Sequence, residues 1–391
     1  MKLASANRAL ATSREGLLLR PFRRTRATGG RARVAVALTA AAMLAACGNS
    51  EDMSSGGTTG DSAVPEPTLS LTDTAQPPED ILPLEGTDWV VFSAITAGDH
   101  PGGMTLVNHE LSTESTLWPA PGFKYDPDPV AFPGCDTPPD EARADTHGIN
   151  AVQTGPGTFD LYVVYHGSRE SIEVFDVDVS GTEPESTWRG CVVLPEGTAA
   201  NSVVALPGGG LALTNFTDPR EPLLPQLFSG EPSGSVWTWE RDAGWAEVPG
   251  SQAYGPNGIE VSADGETLYV AESMKKRVVS IPVTGGSLTE VATMEFLPDN
   301  LRWTESDTLL TTGMEYEPLT QESIQSCAME GTGCVSGFVV VEIDPSASTS
   351  EALYSTESKD FQYATVAAQV GADIWVGGNA LSKVAVVSGL S

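Results

Sequence analysis

The chain has 391 residues, of which 52 are Asp or Glu and 21 are Lys or Arg, giving a formal net charge of −31. Nucleic acids and anionic membrane surfaces repel so acidic a protein, and the composition argues against both as partners. The length suffices for one large domain with additional segments.

The N-terminus has the pattern of an export signal. Residues 1–33 hold nine basic residues and one acidic residue, and the apolar run VAVALTAAAMLAA follows at Val34–Ala46. That run is too short to span a bilayer and suits the apolar core of a signal peptide. It ends in LAAC, Leu44 to Cys47, which resembles the cleavage box of bacterial lipoproteins.

The lipoprotein resemblance implies that residues 1–47 are a signal peptide and that Cys47 carries the lipid. The protein would then be exported and held at the cell membrane only by this lipid. If the cell is Gram-negative, this would place it in the outer membrane or at the periplasmic face. An ordinary secretory signal with a chance cysteine is the alternative. Without residues 1–47, the net charge is about −39, because nine basic residues and one acidic residue are lost.

Residues 48–78 are rich in Ser, Thr, Gly, Pro and Asp, a composition that cannot bury an apolar core. We therefore expect a flexible tether over 48–78 and a folded domain over 79–391. Four cysteines remain in that domain, and an exported compartment permits disulfides. Of the three possible connectivities, we favour Cys135–Cys191 and Cys327–Cys334.

One strand pattern recurs six times along the domain. Each copy has a short apolar run, a turn with Gly or Asp, and a second strand, and the first and last second strands begin 285 residues apart. The second strands are WVVFSA (89–94), LYVVYH (161–166), LALTNF (211–216), LYVAES (268–273), LLTTGM (309–314) and IWVGGN (374–379). Repeats of this kind predict an all-β fold, a six-bladed β-propeller; a large β-sandwich is the alternative.

The innermost strand of each propeller blade lines the central channel, so residues at equivalent positions form a ring. Those at the start of the six repeats are mostly polar, and they are Glu79, Asp80, His147, Asn201, Asn257, Asp299, Asn300 and Thr365. Two carboxylates and three amide oxygens among them make an oxygen-only site of charge −2. This chemistry suits Ca²⁺ better than Mg²⁺ or Zn²⁺.

The segments PNGIEVSADGETLYVAES, LPDNLRW and HGINAV followed by LYVVYHG resemble two related groups, the paraoxonase/arylesterase and the SMP-30/gluconolactonase/luciferin-regenerating-enzyme families. The resemblance runs from Glu79 to the C-terminus. It implies a six-bladed propeller with calcium in its central channel and an enzyme that hydrolyses lactones or esters. The ligands it implies for the catalytic calcium are Glu79, Asn201, Asn257, Asp299 and Asn300.

The same resemblance implies a catalytic pair, His147 and His166, whereas His100 and His109 look incidental. It also implies a second, buried calcium near Asp80 and the backbone of Ile149. Ser202 stands where those families have an Asp, which puts the second calcium in doubt.

The mechanism that these residues suggest is metal-assisted hydrolysis of a small lactone or ester. Calcium would polarise the carbonyl, His147 would activate water and His166 would orient His147. Asp299 or Glu79 is the alternative base. The long segments 118–146 and 216–234 are expected to form loops above the channel. The alternative function is a non-catalytic, membrane-tethered propeller that keeps calcium for stability and binds a ligand or partner; the oligomeric state stays open.

Overall fold

The computed structural model describes residues 66–96, 101–330 and 335–390. These residues form six sheets whose strands pair antiparallel, except for one short added strand at Lys124–Tyr125 that pairs parallel. Each sheet contacts the next sheet through its first strand, and the last sheet contacts the first in the same way. The predicted six-bladed β-propeller is therefore confirmed. Within these ranges, no helix is long and apolar enough to cross a membrane. The expected signal peptide, Cys47, His100 and Cys334 lie outside the described residues.

The strands are numbered in chain order, four to a blade, with one additional short strand, β6, at Lys124–Tyr125. The first, innermost strands are β2 (Asp80–Pro83), β7 (Thr146–Gly155), β11 (Ala199–Leu206), β15 (Pro256–Val261), β19 (Leu297–Trp303) and β23 (Ala364–Val370). The second strands are β3 (Trp89–Ala94), β8 (Thr158–Tyr165), β12 (Gly210–Thr217), β16 (Thr267–Glu272), β20 (Leu309–Met314) and β24 (Asp373–Gly378).

The third strands are β4 (Gly103–Asn108), β9 (Ser171–Asp178), β13 (Ser235–Glu240), β17 (Arg277–Pro282), β21 (Phe338–Asp344) and β25 (Lys383–Ser388). The outer strands are β5 (Thr113–Trp118), β10 (Glu185–Val193), β14 (Gly244–Glu247), β18 (Thr289–Thr293), β22 (Thr349–Thr356) and β1 (Thr68–Asp73). The described helices are α1 (Leu223–Leu227), α2 (Gln321–Glu330) and two 3₁₀ turns at Glu141–Arg143 and Ser273–Lys275. All six repeated patterns fall on the first two strands of a blade, as predicted.

The expected boundary between tether and domain at Glu79 is wrong. Thr68–Asp73 forms β1, which pairs antiparallel with β25 over its whole length and completes the last blade. Leu69 and Leu71 point into that blade and pack on its apolar core, whereas the residues between and beside them are exposed. The segment TLSLTD thus alternates as a half-buried strand does, despite its polar surroundings.

The propeller topology sets which connections surround the candidate site. All inner strands begin at the same mouth of the channel. Because neighbouring strands of a blade pair antiparallel, the chain returns to this mouth at the end of the second strand and at the end of the fourth strand of each blade. Segments 118–146 and 216–234 are such connections, and so is the segment between β20 and β21, which contains α2. Long loops therefore gather at the mouth where the inner strands begin.

Apolar side chains fill the space between neighbouring blades, with the largest cluster around Trp118, Tyr165, Phe175 and Trp188. The predicted Cys135–Cys191 disulfide is confirmed and joins the 118–146 segment to β10. Because Cys334 is not described, the Cys327–Cys334 bond stays a prediction.

Candidate functional site

The first residues of the inner strands depart from regular pairing, and these irregularities turn the candidate ligands towards the channel. In β7, β11, β15, β19 and β23, the register shifts within the first few residues, across the positions that precede Ile149, Val203, Ile259, Leu301 and Val366. A bulge re-aims the side chains at the point where it occurs. The repeated bulge explains why one position in successive blades faces one centre.

Two glycines allow the inner strands to approach one another closely at this level. A Cβ on Gly258 would lie 2.6 Å from the Asp299 carbonyl oxygen, and a Cβ on Gly148 would lie 2.6 Å from the Ser202 Cα. Any larger residue would push neighbouring blades apart. In both blades, the side chain that faces the channel, Asn257 or His147, is followed directly by a glycine. This glycine allows the next blade to pack closely against the strand.

The structure brings together all five expected calcium ligands, which are buried, and His147, which is half-buried. Asn300 Nδ2 lies 3.2 Å from Glu79 Oε1, and His147 Nε2 lies 3.2 Å from the same oxygen. Asn201 Nδ2 lies 3.5 Å from His147 Nε2, and the side-chain amide of Asn257 acts to lower the pKa of the Asp299 carboxyl.

The sixth inner strand contributes differently. Thr365 Oγ1 donates to the backbone carbonyl of Glu79 at 2.6 Å and so fixes the chain that carries the carboxylate. Thr365 supports the cluster through Glu79.

The oxygen atoms of this cluster fit a hard cation. Among the described residues, Glu79 Oε2, Asn201 Oδ1, Asn257 Oδ1 and Asn300 Oδ1 are buried and have no hydrogen-bond donor. A buried acceptor without a donor costs about 1–3 kcal/mol, so four together call for a shared partner. A cation held by oxygen ligands satisfies all four at once, and Ca²⁺ accepts six to eight such ligands.

The electrostatics also favour a cation. Burial and the nearby charge of Glu79 raise the pKa of the Asp299 carboxyl well above its ordinary value. Burial lowers the pKa of His147, but the charge of Glu79 and its hydrogen bond, together with Asp299 and Asp80, outweigh burial and raise this pKa to about 9. The carboxylates therefore repel one another and attract positive charge, which a divalent ion would supply.

The two histidines form a hydrogen-bonded chain with a residue that sequence reasoning missed. His147 Nδ1 lies 3.2 Å from His166 Nε2, and His166 Nδ1 lies 2.7 Å from Glu170 Oε2. A carboxylate only accepts, so His166 Nδ1 donates to it and His166 Nε2 is left to accept from His147 Nδ1–H. The lone pair of neutral His147 then sits on Nε2, facing the ligand cluster.

The atoms suggested for a second calcium are engaged by a guanidinium. Arg302 Nη2 pairs with Asp80 Oδ2 and donates to the Ile149 carbonyl oxygen at 2.9 Å. Arg302 also donates to the Ile81 carbonyl at 3.0 Å and pairs with Glu260 at 3.3 Å. Ser202 Oγ is buried without a hydrogen-bond partner.

No protein-family model and no curated protein match the chain. Among solved structures, a luciferin-regenerating enzyme is similar with a TM-score of 0.51 at 14% identity, covering 83% of this chain and 96% of that chain. Virginiamycin B lyase from Staphylococcus aureus gives a TM-score of 0.47 at 13% identity, with coverages of 83% and 99%. A protein assigned as a gluconolactonase gives 0.45 at 14% identity, with coverages of 82% and 97%. At these identities the likeness shows the fold alone.

Proposed function

We propose that the protein is a calcium-dependent hydrolase of lactones or carboxylic esters. The observation that carries this proposal is the ring of four buried oxygens without donors, on Glu79, Asn201, Asn257 and Asn300, beside the His147–His166 pair. The neighbouring structures named as a gluconolactonase and a luciferin-regenerating enzyme are consistent with such an activity. Arg302 takes the atoms suggested for a second ion, so we propose one calcium per chain.

The five ligands would be Glu79, Asn201, Asn257, Asp299 and Asn300. When bound, Ca²⁺ supplies a Lewis acid that polarises the substrate carbonyl and stabilises negative charge on its oxygen. Glu79 holds the proton on His147 while its own charge is uncompensated, and a cation bound by Glu79 would weaken this hold. The imidazole is then free to act as a base.

In the hydrolytic step, His147 Nε2 removes a proton from water as the water oxygen bonds to the carbonyl carbon. His147 Nδ1–H keeps its bond to His166 Nε2, and the imidazolium is stabilised by Glu79 Oε1 at 3.2 Å. The carbonyl carbon then releases the ester oxygen, which takes the proton from His147 Nε2. The products are a carboxylic acid and an alcohol, or a hydroxy acid from a lactone.

The test combines metal analysis with hydrolysis of a panel of lactones and aryl esters. Purified protein is expected to hold one Ca²⁺, to melt at lower temperature in chelator and to turn over at least one class of substrate only when calcium is present. His147→Gln is expected to retain calcium and lose kcat by roughly 10²–10⁴-fold, as for a lost general base. Asn201→Ala is expected to weaken calcium binding and turnover together.

Three outcomes would each contradict a different part of the proposal. Stoichiometric zinc without calcium removes the metal assignment. Calcium-loaded protein that hydrolyses no member of the panel favours a binding propeller that keeps calcium for stability, and unchanged turnover in His147→Gln transfers the base role to Asp299 or Glu79.

A further inference from the structure

A cavity of about 760 Å³ opens at the mouth of the channel opposite to the candidate calcium cluster. Later residues of the inner strands β2, β7, β19 and β23 form its wall, together with the turns that follow β2, β19 and β23. Its described lining includes none of the proposed calcium ligands and neither His147 nor His166. Because its volume falls in the roughly 300–1,000 Å³ range of small-molecule sites, the cavity has room for a second ligand.

Two buried charged residues, Glu260 and Arg302, form the floor of this cavity, and the floor has no donor left for an anion. Arg302 is 3% exposed. A guanidinium has five N–H groups. Those of Arg302 donate to the carboxylates of Asp80 and Glu260 and to the carbonyl oxygens of Ile81, Ile149 and Leu301. An anionic ligand would therefore meet a guanidinium that is already fully engaged.

Glu260 leaves the floor with an excess of negative charge. Its side chain is buried, and its Oε1 lies 3.3 Å from Arg302 Nη1. Arg302 also pairs with Asp80, so one guanidinium faces two buried carboxylates. Burial raises the pKa of Glu260 to about 7, although the charge of Arg302 acts to lower it. A cation in the cavity would therefore supply positive charge that this carboxylate lacks.

The opening of the cavity adds further carboxylates. Four exposed acidic residues line it, and they are Glu85, Asp88, Glu305 and Asp307. Besides Arg302, the described lining has one side chain that can carry positive charge, His109, and its Nδ1 lies 3.7 Å from Glu110 Oε1. The cavity is thus negative from floor to opening, and its charge favours a cationic ligand.

The carboxylates of the cavity are spread over its wall. In the part of the chain that the structure describes, one group of three carboxylate, thiol or imidazole side chains has ligand atoms within 4.8 Å of one another, and this group, Cys135, Glu173 and Cys191, does not line the cavity. A metal ion needs several oxygen ligands converging on one point, whereas an extended organic cation can reach separate carboxylates. Trp89 and Trp303 are half-buried in the lining, and indole rings attract ammonium groups.

We propose that this cavity is a second ligand site that binds an extended aliphatic polyamine, with one ammonium group at Glu260 and another at the carboxylates of the opening. The site lies at the opposite end of the channel from the proposed calcium, and it does not depend on the proposed hydrolase activity.

The experiment is calorimetric titration of the full chain with spermidine, in calcium-containing buffer at about 150 mM salt, which screens diffuse attraction to the acidic surface. The neutral comparison is 1,8-octanediol, a chain of similar length. One equivalent of spermidine is expected to bind, and the diol is not. Glu260→Gln is expected to weaken spermidine binding at least about tenfold, as for a lost hydrogen bond to a charged group.

A second variant changes only the opening, so it tests the site even if Glu260→Gln fails to fold. Glu305→Gln/Asp307→Asn removes two exposed carboxylates and is expected to weaken spermidine binding about threefold, in line with exposed ion pairs. Glu173→Gln is the matched control for the floor, because Glu173 is buried and pairs with Arg169 away from this cavity. Glu240→Gln/Asp242→Asn, on exposed carboxylates outside the lining, is the control for the opening. Both controls are expected to bind spermidine as the parent does.

Four results would each overturn the proposal. Absence of spermidine binding removes the site, and equal affinity in the parent, the Glu260 variant and the Glu305/Asp307 variant shows diffuse attraction to an acidic protein. Equal binding of 1,8-octanediol shows that the ligand needs no positive charge. Magnesium that displaces spermidine at equal concentration shows a metal site in place of a polyamine site.

Discussion

Glu170 determines what His147 can do, although the two residues never touch. The Glu170 carboxylate accepts from His166 at 2.7 Å, and His166 in turn contacts His147 at 3.2 Å. Each of these contacts fixes whether one ring nitrogen carries a proton. The Glu170 carboxylate therefore sets the proton positions on His166 and His147. Glu170 is thus a positioning residue for the proposed base.

We predict that Glu170→Gln lowers kcat by roughly 10–100-fold, the usual cost of losing a group that orients an imidazole, and by less than His147→Gln. The reason is that a glutamine can present either its oxygen or its NH₂ group to His166, so the tautomer is no longer imposed. Nitrogen-15 NMR of the histidine rings is expected to show a mixed His166 tautomer, with calcium content and melting temperature nearly unchanged. Glu196→Gln, on an exposed carboxylate, serves as the control; an unaltered His166 spectrum in Glu170→Gln would refute the role.

The ring residues were predictable from sequence because they share one position in a repeat, as Asn201, Asn257 and Asp299 show. Glu170 has no such counterpart. Its contact depends on the turn between β8 and β9, and only the His-x-x-x-Glu spacing from His166 hints at it. The irregular turn, unlike the repeated strands, leaves no periodic signal.

At the level of elements, the inner strands are held together by a charged side chain as well as by apolar packing. Arg302 on β19 is 3% exposed and bonds to Asp80 and Ile81 of the first blade, to Ile149 of the second and to Glu260 of the fourth. Arg302 itself belongs to the fifth blade, so its side chain links four of the six blades. This role of Arg302 cannot be predicted from the sequence, because the carboxylates that face it come from blades distant in the chain.

We predict that Arg302→Met destabilises the protein by about 3–5 kcal/mol, the cost of leaving buried carboxylates without their cationic partner. The melting temperature is expected to fall by at least about 5 °C. Arg220→Met is the matched control, because Arg220 pairs with Asp218 and Glu196 on the surface, where ion pairs contribute about 0–1 kcal/mol. Thermal melting in calcium-containing buffer gives the melting temperature of both variants. An equal fall in melting temperature for Arg302→Met and Arg220→Met would contradict the linking role of Arg302.

At the scale of the whole molecule, the ring of blades is closed by a strand from the N-terminal side of the domain. β1 supplies the outer strand of the blade whose other three strands come from the C-terminus. This closure joins the two ends of the domain, so the last blade cannot form fully until both are present. β1 could not be predicted from the sequence, because its partner β25 lies at the far end of the chain and because many Ser, Thr and Pro residues surround its two leucines.

The closure can be tested by charging one face of β1 at a time. Leu69 and Leu71 are half-buried against the last blade, whereas Ser70 and Thr72 on the same strand are exposed. Leu69→Asp/Leu71→Asp is expected to cost about 2–4 kcal/mol, from lost apolar burial and from carboxylates placed against an apolar surface. Ser70→Asp/Thr72→Asp adds the same charge to the same acidic protein without touching the core, so it is expected to stay within about 1 kcal/mol of the parent. Urea unfolding of the three proteins gives the comparison. If the two double variants unfold at the same urea concentration, β1 pairs with the blade without stabilising it, and the ring is closed by its inner strands alone.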